Sequence, residues 1–191
     1  FMYSSNYWCC CTNIKHIKEK EMKRRKNKKL KVSVSLSRLA HAGFGDCSFH
    51  KDQFAKMTEL YLTRLGISKR LQNTLSIKIH VRKSTLKANV LGACTIPLNG
   101  SKASKEFKIT LLHGQNFYNQ LQTLAHELCH VAQQVTGRLQ LRVWSTDNQT
   151  HVRWEGKELG VYLKDVKYDD APWEHEATKF AKEQYNRIFN K

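Results

Sequence analysis

The stretch NFYNQLQTLAHELCHVAQQVT, residues 116–136, decides how this chain is read. Its apolar residues recur at steps of three and four and Gly137 follows, which predicts a long amphipathic helix with a glycine stop. Leu124, Leu128, Val131 and Val135 form one stripe, centred about 310° around the helix when Leu121 is taken as zero. His126 and His130 centre near about 160°, so the stripe faces a core and the histidine pair faces away from it. Side chains four apart lie one turn apart on one face, close enough for both imidazoles to reach a single cation.

Within that stretch His126-Glu127-Leu128-Cys129-His130 is the only segment that carries recognisable chemistry. Two imidazoles and a third ligand leave a zinc ion one position for water, whose pKa then falls towards neutrality. A carboxylate beside the ion can take the proton and pass it to a leaving amine, and Glu127 is the candidate base.

A third ligand must come from elsewhere. Downstream, Pro172-Trp173-Glu174-His175-Glu176-Ala177 reads as a helix start, with Asp169 and Asp170 placed to oppose the helix dipole. The apolar set Trp173, Ala177, Phe180, Ala181 and Ile188 marks the inner face. Glu174 lies about 60° from its centre, Glu176 about 100° away on the other side, and His175 about 160° away. Glu174 is therefore the most inward of the three. Glu176 is second choice, as a ligand or as a partner for an imidazole, and His175 is expected to face solvent.

Upstream, Asp52 to Leu65 has helical periodicity before Gly66. Leu75–Arg82, Asn89–Leu98 and Phe107–Leu112 alternate in strand fashion around the polar stretch Asn99 to Lys105, and are read as a three-stranded antiparallel sheet. After residue 137, Arg138–Trp144 and His151–Trp154 are two extended pieces joined by a turn at residues 146–149, and Pro172 opens a helix running to about Phe189. The order helix, sheet, helix, hairpin, helix gives an α+β fold with no internal repeat.

His126-Glu127-x-x-His130 followed by Glu174-x-Glu176-Ala177 resembles the gluzincin metallopeptidases. With the Trp154-x-Gly156 turn and Pro172-Trp173 added, residues 121–181 are similar to the small SprT-like, minimal-gluzincin metallopeptidases encoded by tailed bacteriophages. The resemblance covers Asp52 to the C-terminus. It implies a minimal zincin-like domain over residues 32–191, with Zn²⁺ held by His126, His130 and Glu174 and Glu127 as the base. It further implies a peptide or protein substrate lying along the sheet edge at Phe107–Leu112, and a cytoplasmic location, in the host or in a virion if phage-encoded. Many gluzincins carry an aspartate four residues after the ligand glutamate; Thr178 stands there in this chain. For the residue that stabilises the developing oxyanion, Tyr168, His151 and Tyr162 are candidates in that order, and Trp154 and Trp173 are expected to pack around the site.

The 191 residues carry a net charge of +17. Between Lys15 and Lys31 ten basic residues face only Glu19 and Glu21. Residues 1–31 are therefore expected to be a disordered arm suited to polyanion or nucleic-acid contact. Met22 opens a run that looks like a natural start, so residues 1–21 are read as non-native or upstream sequence. No apolar run is long enough for membrane insertion, and Phe1 to Thr12 lacks a signal-like core. Six cysteines without a C-x-x-C pair form neither a disulfide framework nor a cysteine zinc knuckle, and Cys94 and Cys129 are expected in the core. His113 is ambiguous, while His41, His50 and His80 are expected on the surface. Two other classes compete with the peptidase: a non-catalytic, zinc-stabilised structural, virion or interaction protein, and a nucleic-acid-binding module using the arm.

Overall fold

A computed structural model describes residues 29–36, 47–82, 90–95, 105–143 and 148–189. The expectations for residues 1–28, for His41 and for residues 146–147 of the turn lie outside them. In chain order the described elements are β1 (Lys31–Leu36), α1 (Cys47–Arg64), α2 (Lys69–Gln72), β2 (Ser76–Arg82), β3 (Gly92–Thr95) and β4 (Glu106–Leu112). Then come α3 (Phe117–Val135), β5 (Leu139–Val143), β6 (Thr150–Trp154), β7 (Lys157–Tyr162) and α4 (Pro172–Phe189), with two 3-10 turns, Leu163–Asp165 and Tyr168–Asp170, before α4. The fold is α+β, with a mixed sheet, a three-stranded antiparallel sheet and helices.

The first sheet differs from its expected form. It has four strands in the order β1-β2-β4-β3, with β1, β2 and β4 parallel and only β3 antiparallel. Two causes combine. Lys31–Leu36, whose Val32, Val34 and Leu36 alternate with polar residues, is a strand, and α1 carries the chain back so that β2 runs parallel to it. The β3–β4 pair then enters with β4 against β2, so Phe107–Leu112 is an interior strand and β3 is the edge. A substrate strand cannot add along Phe107–Leu112, because both of its sides are already hydrogen-bonded.

One face of this sheet is buried. Ile77, Ile79 and Val81 of β2 and Phe107, Ile109 and Leu111 of β4 are almost fully covered by α1 and α3, whose Phe54, Tyr61, Leu62, Leu124 and Leu128 complete the core. Fully burying each such side chain stabilises by about 1.5–3 kcal/mol, so the apolar stripe, rather than helix propensity, holds α3 in place. Asn116 caps the start of α3 by accepting from the Asn119 amide at 2.8 Å. Gly137, at φ 73°, ends it in the left-handed region that side chains disfavour.

The second sheet, β5-β6-β7, has one strand more than the expected hairpin, since Lys157–Tyr162 turns back at Glu155-Gly156 and pairs with β6. Leu139, Val152, Ala171 and Trp173 form a small core of their own beneath it, with Trp154 against Trp173 at 6.1 Å between ring centres. α4 packs along α3 and closes the molecule on the histidine side. Among the described residues no helix is long and apolar enough to cross a membrane.

Candidate metal centre

His126 and His130 project from α3 towards the first turn of α4, where Glu174 meets them. Glu174 Oε2 lies 3.1 Å from His126 Nε2 and 3.3 Å from His130 Nε2, and the two ring nitrogens are 3.2 Å apart. Tetrahedral zinc with bonds of about 2.0 Å places its donors about 3.3 Å apart, so the three atoms already stand at the corners such an ion requires. Among the described residues this is the one group of three His, Cys, Asp or Glu side chains able to hold a metal.

The protonation pattern is set from behind. Gln133 Nε2 donates to the Trp173 carbonyl at 2.9 Å and to Glu176 Oε2 at 3.0 Å, so its amide has only one possible orientation. Its Oε1 then faces His130 Nδ1 at 3.0 Å and demands a proton there. A neutral His130 accordingly keeps its Nε2 lone pair pointed at the cluster, which is the tautomer a metal ligand needs. Glu176 is not one of the three donors: its other oxygen accepts from Arg138 Nη1 at 2.7 Å. Arg138 also bonds Glu155 at 2.7 Å and lies over the Trp154 ring at 5.0 Å.

Three carboxyl and imidazole groups perturb one another here. Burial opposes ionisation of Glu174, but hydrogen bonds from both histidines outweigh it and hold its carboxyl well below the usual range. Burial works against a charged His130 too, yet the hydrogen bond and charge of Glu174, with the charge of Glu127, raise its pKa. Without metal, each member of the pair thus favours the charged form of the other. Glu127, only 5% exposed, moves the other way: burial raises it, against the pull of His130 and His126. Its carboxylate accepts the backbone N–H of Cys94 and lies against Gly92, so the edge strand β3 holds the candidate base.

Tyr168 stands at the mouth, 60% exposed. Its hydroxyl is 3.4 Å from His126 Nε2, donates to Glu174 and accepts from Thr178. Burial, followed by the charge of Glu174, pushes it up to about 12, so it remains a proton donor. Thr178 thus meets Tyr168, while the imidazole His130 is oriented by Gln133. The other two oxyanion candidates, His151 and Tyr162, stack edge-on at 5.0 Å, and neither lines the cavity over the cluster. His175 faces out and bonds the Asp169 carbonyl. His50 meets the Phe117 ring edge-on, His80 pairs with Ser35, and His113 forms a bridge with Gln115.

A cavity of about 880 Å³ opens over the cluster. Val90, Leu91 and Cys94 line one side, and Leu139, Leu141 and Trp173 the other. Cys94 and Cys129 are inert here, the thiol of Cys129 being pushed up to about 12 by burial. Sequence reasoning missed Gln133, although its place three residues after His130 on the same helical face was a usable signal. It also missed Gly92, whose role depends on a strand approaching the helix. No protein-family model, curated protein or solved structure matches this chain.

Proposed function

We propose that this chain is a zinc-dependent peptidase of gluzincin type, with α3, its sheet and α4 forming a minimal zincin-like domain. The observation that carries the reading is the triangle of His126, His130 and Glu174 donors, 3.1–3.3 Å on a side, with the buried Glu127 carboxylate beside it. Zinc bound there would act as a Lewis acid, acidifying water and polarising a carbonyl. The donor set fits that ion, since two imidazoles and one carboxylate suit Zn²⁺.

The protein's own groups do the rest. The outer edge of β3, unpaired with any strand among the described residues and used there by the Cys94 amide that holds Glu127, offers its remaining backbone groups to an extended peptide, and the apolar walls of the cavity receive its side chains. Glu127, held by the Cys94 amide, takes a proton from the attacking water as its oxygen bonds to the carbonyl carbon. The same proton goes to the amide nitrogen as the C–N bond breaks, leaving a carboxylic acid and an amine, and the acid then gives up its remaining proton to the amine or to solvent. The Tyr168 hydroxyl swings from Glu174 to donate to the oxygen on which negative charge develops.

The test is metal analysis of the purified protein together with digestion of an unfolded protein substrate. The expected result is a single bound zinc, lost in His126→Ala, and proteolysis abolished in Glu127→Gln with zinc retained. Zinc bound equally by both proteins with no cleavage by either would overturn catalysis and leave a zinc-stabilised structural protein.

A further inference from the structure

Parallel strands are ordinarily buried on both faces, yet the parallel part of the first sheet is covered on one side only among the described residues. Its outer face is polar and cationic. Register places Ser33, Lys78, Lys108 and Thr95 in one row across the four strands, and Ser35, His80, Thr110 and Ala93 in the next, with Arg82 beyond. Lys78, Arg82 and Lys108 are all exposed. Lys78 and Lys108 are direct cross-strand partners, a placement that costs stability unless an anion lies between them. The three cations surround His80, which burial and their combined charge hold below its ordinary pKa, and its Nδ1 lies 2.6 Å from Ser35 Oγ.

Among the described strands the face carries one carboxylate, Glu106, in the row Lys31–Ser76–Glu106, against the four cations Lys31, Lys78, Arg82 and Lys108. Outside the described residues the chain's only acidic side chains are Glu19, Glu21, Asp46 and Asp147, and the rest of that sequence is strongly basic. The face therefore keeps a net positive charge, which a polyanion from another molecule complements. Apart from Leu112 with Leu91 beside it at one end, the described face has no large apolar side chain and no Phe, Tyr or Trp ring. It lacks the anchors that insert into lipid and the platforms that stack bases.

We infer that the outer face of the β1-β2-β4-β3 sheet binds the phosphate backbone of a nucleic acid, through Lys78, Arg82 and Lys108 with Ser33, Ser35 and Thr110 as neutral donors. Contacts of this kind position a strand without reading its sequence. The surface lies on the side of the sheet opposite α3 and the metal centre, so it is separate from the catalytic reading.

The test uses the full chain and a fluorescein-labelled oligonucleotide of mixed sequence, with anisotropy followed across a salt series. Each phosphate-contacting cation adds about one to the slope of log affinity against log salt. Lys78→Gln with Lys108→Gln should lower that slope by about 2, and Arg82→Gln by about 1 more, with an unchanged thermal melt showing an intact fold. The paired change Lys56→Gln with Lys157→Gln, at exposed lysines off this face, should leave the slope unaltered. The inference is overturned if the face variants keep the full slope, if the control pair lowers it equally, or if anionic vesicles are bound in place of the oligonucleotide.

Discussion

Gly92 in the edge strand lies so close to Glu127 that a Cβ added there would sit 2.9 Å from the carboxylate Oε1 and collide with Thr123 Cγ2. Both neighbours belong to α3, whose position is fixed by the core, so neither can retreat freely. Gly92→Ala should destabilise the protein by about 1–3 kcal/mol, the usual cost of overpacking, and displace the candidate base. Thermal melts will show whether Thr123→Ser, which deletes the colliding methyl group, restores part of that loss in the double variant.

Replacing Gln133 tests the orientation of His130. Gln133→Leu removes the acceptor at Nδ1 and leaves the neutral ring free to take the wrong tautomer. Zinc affinity should fall about 10–100-fold, measured by competition with a chromophoric chelator. An unchanged affinity would separate Gln133 from the ligand altogether.

Tyr168→Phe keeps the ring and removes the donor. With the metal held by other residues, zinc content should not change, while kcat drops by about 10²-fold and KM stays nearly constant. A loss confined to KM would make Tyr168 a substrate contact only.

In the proposed reaction Glu127 must be ionised, and burial raises its pKa above the ordinary 4.5. The acid limb of kcat/KM against pH should consequently have its midpoint above 4.5. Glu127→Asp, with a shorter reach, should lower the plateau of that profile.

The metal-free protein should carry a distinct pH signature. His130 has a folded pKa above its unfolded 6.5, so its contribution to stability is complete below that pH and disappears as pH rises through the folded value. Glu174, depressed below 4.5, contributes above that pH and loses its effect only as acid approaches its folded pKa. Melts in chelator should thus weaken as pH rises past 6.5. Saturating zinc should remove that decline, and His130→Asn should abolish it.

Much of the arrangement was legible before folding was considered. The 3.6-residue periodicity of residues 116–136 located α3, and the spacing of His126 and His130 put both rings on one side of it. The angular position of Glu174 on a second amphipathic helix ranked it ahead of Glu176. The strand Lys31–Leu36 was hidden by its basic neighbour at residues 15–31, even though its own alternation was clear. Strand order was not legible at all: alternating residues say which face is buried, but nothing local says that β4 inserts beside β2 and leaves β3 at the edge.

The sequence by itself determined the helices, the face each one buries and the residue types available to a metal, because these depend on periodicity and chemistry within a few turns of chain. Only the tertiary structure decided that Glu174 comes within 3.3 Å of both rings, that Trp173 and Glu176 of α4 fix the Gln133 amide that faces His130, and that β3 carries the amide holding Glu127. Those relationships join segments tens of residues apart, and they arise from burying α3 between a sheet and α4, where a shared core fixes distances that no local pattern encodes.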